Sequence, residues 1–211
     1  MTVLRSVQQV ADIVSAALST EYRVVIGIVG SPGSGKSTIA EQLVELLGTR
    51  AALLPMDGFH LPQAQLVELG RRERMGAPDT FDVAGFLGTL IGIRRGFGPS
   101  GHTIAAPGFD RALEEPVSGA IQISPEVSCV VVEGNYLLLD SDGWERIAPL
   151  LDQTFFIELD HETRLDRLVA RHEQFGKSPA EALGWALGPD EANAVAIEQT
   201  APRADYRIAL G

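Results

Sequence analysis

Nine consecutive residues, GSPGSGKST (30–38), carry the strongest chemical signal in the chain. They fit the pattern G-x-x-x-x-G-K-[ST] through Gly30, Gly35, Lys36 and Ser37. Glycines at this spacing let the backbone turn several amide N–H groups toward one point, a following helix adds the positive end of its dipole, and Lys36 adds a full charge. That is a cradle for a polyphosphate such as ATP, with Ser31, Pro32, Gly33, Ser34 and Thr38 completing the loop. Ser37 offers a hydroxyl to a magnesium ion bridging the phosphates. The dinucleotide fingerprint G-x-G-x-x-G is not met, because Thr38 stands where the third glycine belongs. A nicotinamide enzyme is therefore disfavoured.

Two carboxylates stand where apolar runs end. Glu133 closes CVVVE, and Asp57 follows LLPM. Glu133 suits a magnesium site opposite Ser37, held through the water shell of the ion. Asp57 alone would pass for an ordinary turn aspartate before Gly58. Beside a phosphate loop it gains a role, because a kinase needs a proton acceptor within hydrogen-bond reach of the attacking hydroxyl. Arg164, Arg167 and Arg171 follow at i, i+3 and i+7 along one side of a helix. Arg167 and Arg171 suit a lid, at about 160–178, that neutralises the transferring phosphoryl group and excludes water. Arg164 is left open between that lid and a solvated face paired with acidic neighbours.

These groups need a scaffold. RVVIGIV (23–29), AALLPM (51–56), CVVVEG (129–134) and TFFIEL (154–159) are continuous apolar runs of strand length, the pattern of strands buried on both faces. ADYRIAL (204–210) is expected to be a final strand. Helical spacing marks Ile39, Leu43, Leu46 and Leu47, and again Val83, Phe86, Leu87 and Leu90. That alternation predicts an α/β fold with a parallel sheet and helices on both sides. Val3, Val7, Val10, Val14 and Leu18 predict an amphipathic N-terminal helix, Asp160 and Ser178 are expected helix caps, and GFGPSG (96–101) is expected to be a loop.

Composition narrows the function. The 211 residues and 45% hydrophobic content fit one domain, 1–211. A net charge of −11 opposes sequence-independent DNA or RNA binding, so an anionic ligand must meet a local positive site. The single cysteine, Cys129, lies within an apolar run and is expected to fill core space. No apolar run approaches the roughly 20 residues needed to cross a bilayer. The protein is expected to be soluble and cytoplasmic, with no membrane partner.

The succession GSPGSGKST, PMDGFHLP, RMGAPDTFD, VVVEGNYLLL and RLVARHEQFG resembles the P-loop kinases that include uridine kinase, bacterial pantothenate kinase and phosphoribulokinase. It is most similar to the nucleoside-kinase-like subgroup often labelled fructokinase or fructose transport system kinase. The resemblance runs from about Arg23 to Asp205. It implies the P-loop NTP hydrolase fold, a five-stranded parallel sheet flanked by helices, and transfer of the terminal phosphoryl group of ATP to a small-molecule hydroxyl. The family's phosphate lysine falls on Lys36, its magnesium hydroxyl on Ser37, its base on Asp57, its strand-end acid on Glu133, and its lid arginines on Arg167 and Arg171. Where pantothenate kinases carry Tyr-Ser-His, this chain has Phe109, Asp110 and Arg111, a departure that counts against pantothenate; a sugar is favoured over a nucleoside. Asp110 and Arg111 either bond the acceptor or pair with each other. His60, Arg74 and Phe81 are further acceptor-site candidates. The alternatives are a nucleoside or pantothenate kinase and, from another class, a nucleotide-binding switch, against which the absence of N/T-K-x-D speaks.

Overall fold

In the computed structural model, which describes residues 2–210, six strands form one sheet whose neighbours all run parallel. The chain order is β1 (Thr2–Leu4), α1 (Val7–Ala17), β2 (Val24–Val29), α2 (Lys36–Leu47), β3 (Ala51–Pro55), α3 (Gln63–Glu68) and α4 (Val83–Arg95). A hairpin of β4 (Ile104–Asp110) and β5 (Glu115–Ile123) follows, then β6 (Cys129–Gly134) and β7 (Gln153–Ile157). The chain continues through α5 (His161–Gln174), α6 (Pro179–Leu187), α7 (Pro189–Glu198) and β8 (Tyr206–Ile208).

Across the sheet the order is β1-β8-β7-β2-β6-β3. From β2 the chain travels to β3 at one edge, and only later to β7 and β8 on the other side. The carboxyl end of β2 therefore lies where the connections diverge, the usual place for a ligand crevice in an open parallel sheet. All six residues of β2 are buried, as are all six of β6. Alternate β2 side chains feed two cores. Val25 and Val29 pack with Phe86, Leu90 and Trp144 on one face, while Val24, Ile26 and Ile28 pack with Val10, Val14 and Leu43 on the other. Cys129 is fully buried and its thiol is pushed up to about 12 by that burial, which leaves it unreactive at neutral pH.

The five expected strands form, but the sheet has six. The extra one is β1, which pairs with β8. Val3 matched the helical spacing, yet the Ser6 side chain accepts a hydrogen bond from the Gln9 amide and starts α1 only after it, so the residues before are free to extend. The β4–β5 hairpin was also not foreseen. Its sequence carries Pro107, Gly108, Pro116 and Gly119, its register shifts between Ala106 and Gly108, and residues 117–120 face solvent. Such a strand has no continuous apolar run to betray it. Asp160 and Ser178 do cap α5 and α6, the latter with Glu181 in a reciprocal capping box.

Candidate active site

Strand register brings the sequence's chemical residues together. Ile28 of β2 lies opposite Glu133 of β6, and Glu133 lies opposite Pro55 of β3. Three strands thus end level, with the phosphate loop starting two residues beyond Ile28 and Asp57 two beyond Pro55. Gly33 has φ +82°, and a Cβ there would sit 2.8 Å from both the Arg164 carbonyl oxygen and Leu168 Cγ. Only glycine fits that position. Gly35 caps α2 without a side-chain bond, so the first amides of α2 remain free to face an anion. A cavity of about 240 Å³ opens over this loop, lined by Lys36, Ser37, Thr38, Arg111, Arg167 and Arg171 as well as Gly33 and Gly35. A Cβ placed on Gly35 would lie 3.5 Å from Arg167 Nη1, so that guanidinium stands beside the loop.

Ser37 Oγ donates to Glu133 Oε1 at 3.2 Å. Glu133 is 2% exposed, and its other oxygen has no hydrogen-bond partner among the described residues. Burial pushes the Glu133 carboxyl up to about 7, and Asp57 adds to the rise, while Lys36 and Ser37 oppose it. A buried acid with an orphaned oxygen beside a hydroxyl is a donor set that fits a hard divalent cation. No group of three or more His, Cys, Asp or Glu residues among those described could cage a metal by itself.

Asp57 begins a second cavity of about 150 Å³. Lys36, Arg111 and Arg171 line both cavities, so the two meet at those three cations. Arg111 Nη2 donates to Asp57 Oδ2 at 3.1 Å. Burial works to raise the Asp57 carboxyl, but His60 when protonated, Arg111, Lys36 and Arg171 outweigh it and hold the pKa below the usual aspartate value. For Lys36 the balance is reversed: burial pulls it down against the support of Glu133 and Asp57. Burial also lowers the His60 imidazole, against the support of Asp57. Its ring lies 4.0 Å from that of Phe81 and 4.8 Å from that of Phe109, forming an aromatic wall.

Three candidates from sequence are placed differently. Arg74 pairs with Asp79 and does not line the cavity; from the same turn, Arg72 does. Asp110 accepts from the Ala112 and Leu113 amides at 2.8 and 3.0 Å, capping its own turn rather than facing the cavity or pairing with Arg111. Arg164 belongs neither to a lid face nor to a solvated one: it is 1% exposed, packs under Gly33 and pairs with Glu191 of α7. Ser31 and Ser34 are buried within the loop, Pro32 reaches the second cavity, and Gly30 packs closely on Ser34. Sequence reasoning missed Arg72, Glu114, Asn135, His172, Lys177, Trp185, Asp190 and Asn193, all of which line the second cavity. Two carried a signal. Asn135 stands two residues beyond Glu133, and His172 directly follows Arg171.

No family model matches the chain. The ATP-dependent kinase-like protein notR' of Aspergillus versicolor is 37% identical over 131 residues, covering 60% of this chain and 76% of that protein. A provisionally named uridine kinase of Schizosaccharomyces pombe is 32% identical over 164 residues, covering 74% and 68%. Among solved structures, a provisionally assigned fructose transport system kinase from a Silicibacter species superposes with a TM-score of 0.87 at 33% identity, covering 97% of this chain and 99% of that one. The chain belongs to the P-loop kinase family of uridine kinase, pantothenate kinase and phosphoribulokinase. It is an ATP-dependent kinase acting on small metabolites. No helix among the described residues of this P-loop kinase is long and apolar enough to cross a membrane.

Proposed function

We propose that this kinase transfers the γ-phosphoryl group of ATP to a hydroxyl of a neutral, polyhydroxylated acceptor of monosaccharide size, a sugar of the fructose type. The observation that carries the reading is the meeting of the two cavities at Lys36, Arg111 and Arg171, with Asp57 on the acceptor side. Asp57 takes the proton of the attacking hydroxyl, its carboxylate kept ionised by the surrounding cations. Lys36, Arg167 and Arg171 hold the triphosphate and neutralise the charge that develops on it. Ser37 and Glu133 hold the magnesium ion, which supplies charge neutralisation at the phosphates when bound. The whole chain works as one kinase domain, with α5 covering the phosphates.

Three features support a sugar. Beyond the three shared cations, the cavity carries Arg72 and Lys177 with Asp57, Glu114 and Asp190, a mixture of both signs suited to an uncharged compound rich in donors and acceptors. At about 150 Å³ it lies below the roughly 300 Å³ typical of the smallest ligand pockets, which favours a monosaccharide over a nucleoside. The likeness to the Silicibacter protein extends over nearly the whole of both chains. Use of ATP supports a cytoplasmic reaction. The test is ADP release from magnesium-ATP across D-fructose, D-glucose, D-ribose, uridine and pantothenate. Release that depends on a sugar is expected; release that ignores every added hydroxyl compound contradicts the proposal and favours a nucleotide-hydrolysing switch.

A further inference from the structure

The acceptor cavity contains a hydrogen-bonded pair that phosphoryl transfer does not use. His172 Nε2 and Asp190 Oδ2 lie 2.7 Å apart, at 18% and 17% side-chain exposure. The two come from different helices, His172 from α5 and Asp190 from the first turn of α7. An imidazole nitrogen this close to a carboxylate oxygen carries a proton in either charge state of the ring, so His172 Nε2 donates and fixes how the carboxylate points. The second Asp190 oxygen accepts no hydrogen bond among the described residues. Asn135 adds another acceptor, since its Oδ1 is buried without a partner at the same cavity. A buried acceptor left unpaired, as Asn135 Oδ1 is, is costly, and a bound compound with hydroxyl groups would satisfy it while pairing with the open Asp190 oxygen.

Resting on the sugar kinase reading, we propose that Asp190, oriented by His172, accepts a hydrogen bond from a second hydroxyl of the acceptor, one that is not phosphorylated. Asp190 is then a specificity-determining residue, and the substrate class is a diol or polyol rather than any alcohol. Asp57 takes the reacting hydroxyl and Asp190 the reporting one. Asn135, two residues beyond Glu133 in the chain, lines the same cavity and receives a further donor. Because Arg171 and His172 are consecutive on α5, seating the second hydroxyl and presenting Arg171 to the phosphates depend on one helical turn. A site built around a substrate hydroxyl rejects the analogue that lacks it far more strongly than an apolar pocket rejects a changed methylene.

The test compares wild type with Asp190→Asn on the panel member turned over fastest and on its monodeoxy analogues. The wild type should discriminate against one monodeoxy analogue by about 100-fold or more in kcat/KM. In Asp190→Asn the acceptor KM should rise by about 10-fold to 100-fold, the KM for ATP should stay within about twofold, and the discrimination should shrink below about 10-fold. If Asp190→Asn does not fold, His172→Gln should shift the same ratio more weakly. A merely structural role would slow both compounds equally and leave discrimination intact, which would overturn the proposal, as would an unchanged acceptor KM. Absence of acceptor-dependent ADP release in the wild type would instead overturn the sugar kinase reading on which the proposal rests.

Discussion

The phosphate side and the acceptor side of this site share three cations but are built in opposite ways. The phosphate side is one short loop between β2 and α2, with Lys36 and Ser37 fixed by the first turn of the helix. The acceptor side draws Asp57, Arg72, Arg111, Asn135, Lys177 and Asp190 from six separate segments. A polyphosphate offers the same oxygens in every kinase, so a local, repeated solution serves. An acceptor offers a particular arrangement of hydroxyls, and matching it takes side chains from scattered positions that can vary independently. Charge separates the two sides further. Lys36, Arg111, Arg167 and Arg171 line the loop cavity with no acid among its described lining residues, whereas the second cavity adds Asp57, Glu114 and Asp190 to its cations.

The largest blow to the phosphate side should come from Lys36→Ala. It removes a charge that serves ground state and transition state alike, so nucleotide affinity and kcat should both fall, together by on the order of 1,000-fold in kcat/KM. Equilibrium binding of a fluorescent ATP analogue with a rate assay checks this; intact affinity would separate the loop from the nucleotide.

Glu133→Gln sharpens the comparison through stability. The Glu133 carboxyl is raised in the folded protein to about 7, so its contribution to stability is full below the unfolded value near 4.5 and is lost as pH rises through 7. Without magnesium, Glu133→Gln should therefore unfold at a higher temperature than wild type at pH 8, by an amount worth roughly 3 kcal/mol at most, and the gap should close toward pH 4.5. A gap that does not change with pH would contradict the burial of that carboxylate. The smallest effect belongs to Arg74→Ala. Its partner Asp79 and its exposed position put it outside the cavity, so kcat/KM for the acceptor should stay within about twofold of wild type, unlike Arg111→Ala. A large loss would return Arg74 to the acceptor site.

The same contrast explains what could be seen in the sequence. β2, β6 and the phosphate loop are legible because burial on both faces forces continuous apolar runs, and because the loop's chemistry is contiguous. Asp57 and Glu133 were legible through their position after such runs, and the register of β3 on β6 then sets them near each other. The hairpin was not legible, since its outer face is solvated and its strands carry proline and glycine. Nor was the fate of neighbouring polar residues. Arg111 reaches Asp57 while Asp110 caps its own turn, and His172 pairs with Asp190 while Arg164 is buried against Glu191. Spacing along a chain says which residues share a helix face, but not which neighbour another segment will bring to it.

The most direct test of the account is the pre-steady-state rate of phosphoryl transfer in Asp57→Asn, measured together with ATP affinity. A positioned base is worth about 100-fold to 10,000-fold, so the transfer rate should fall by that much while ATP binds as in wild type. A near-normal transfer rate in this variant would contradict the assignment of Asp57 as the group that takes the acceptor's proton.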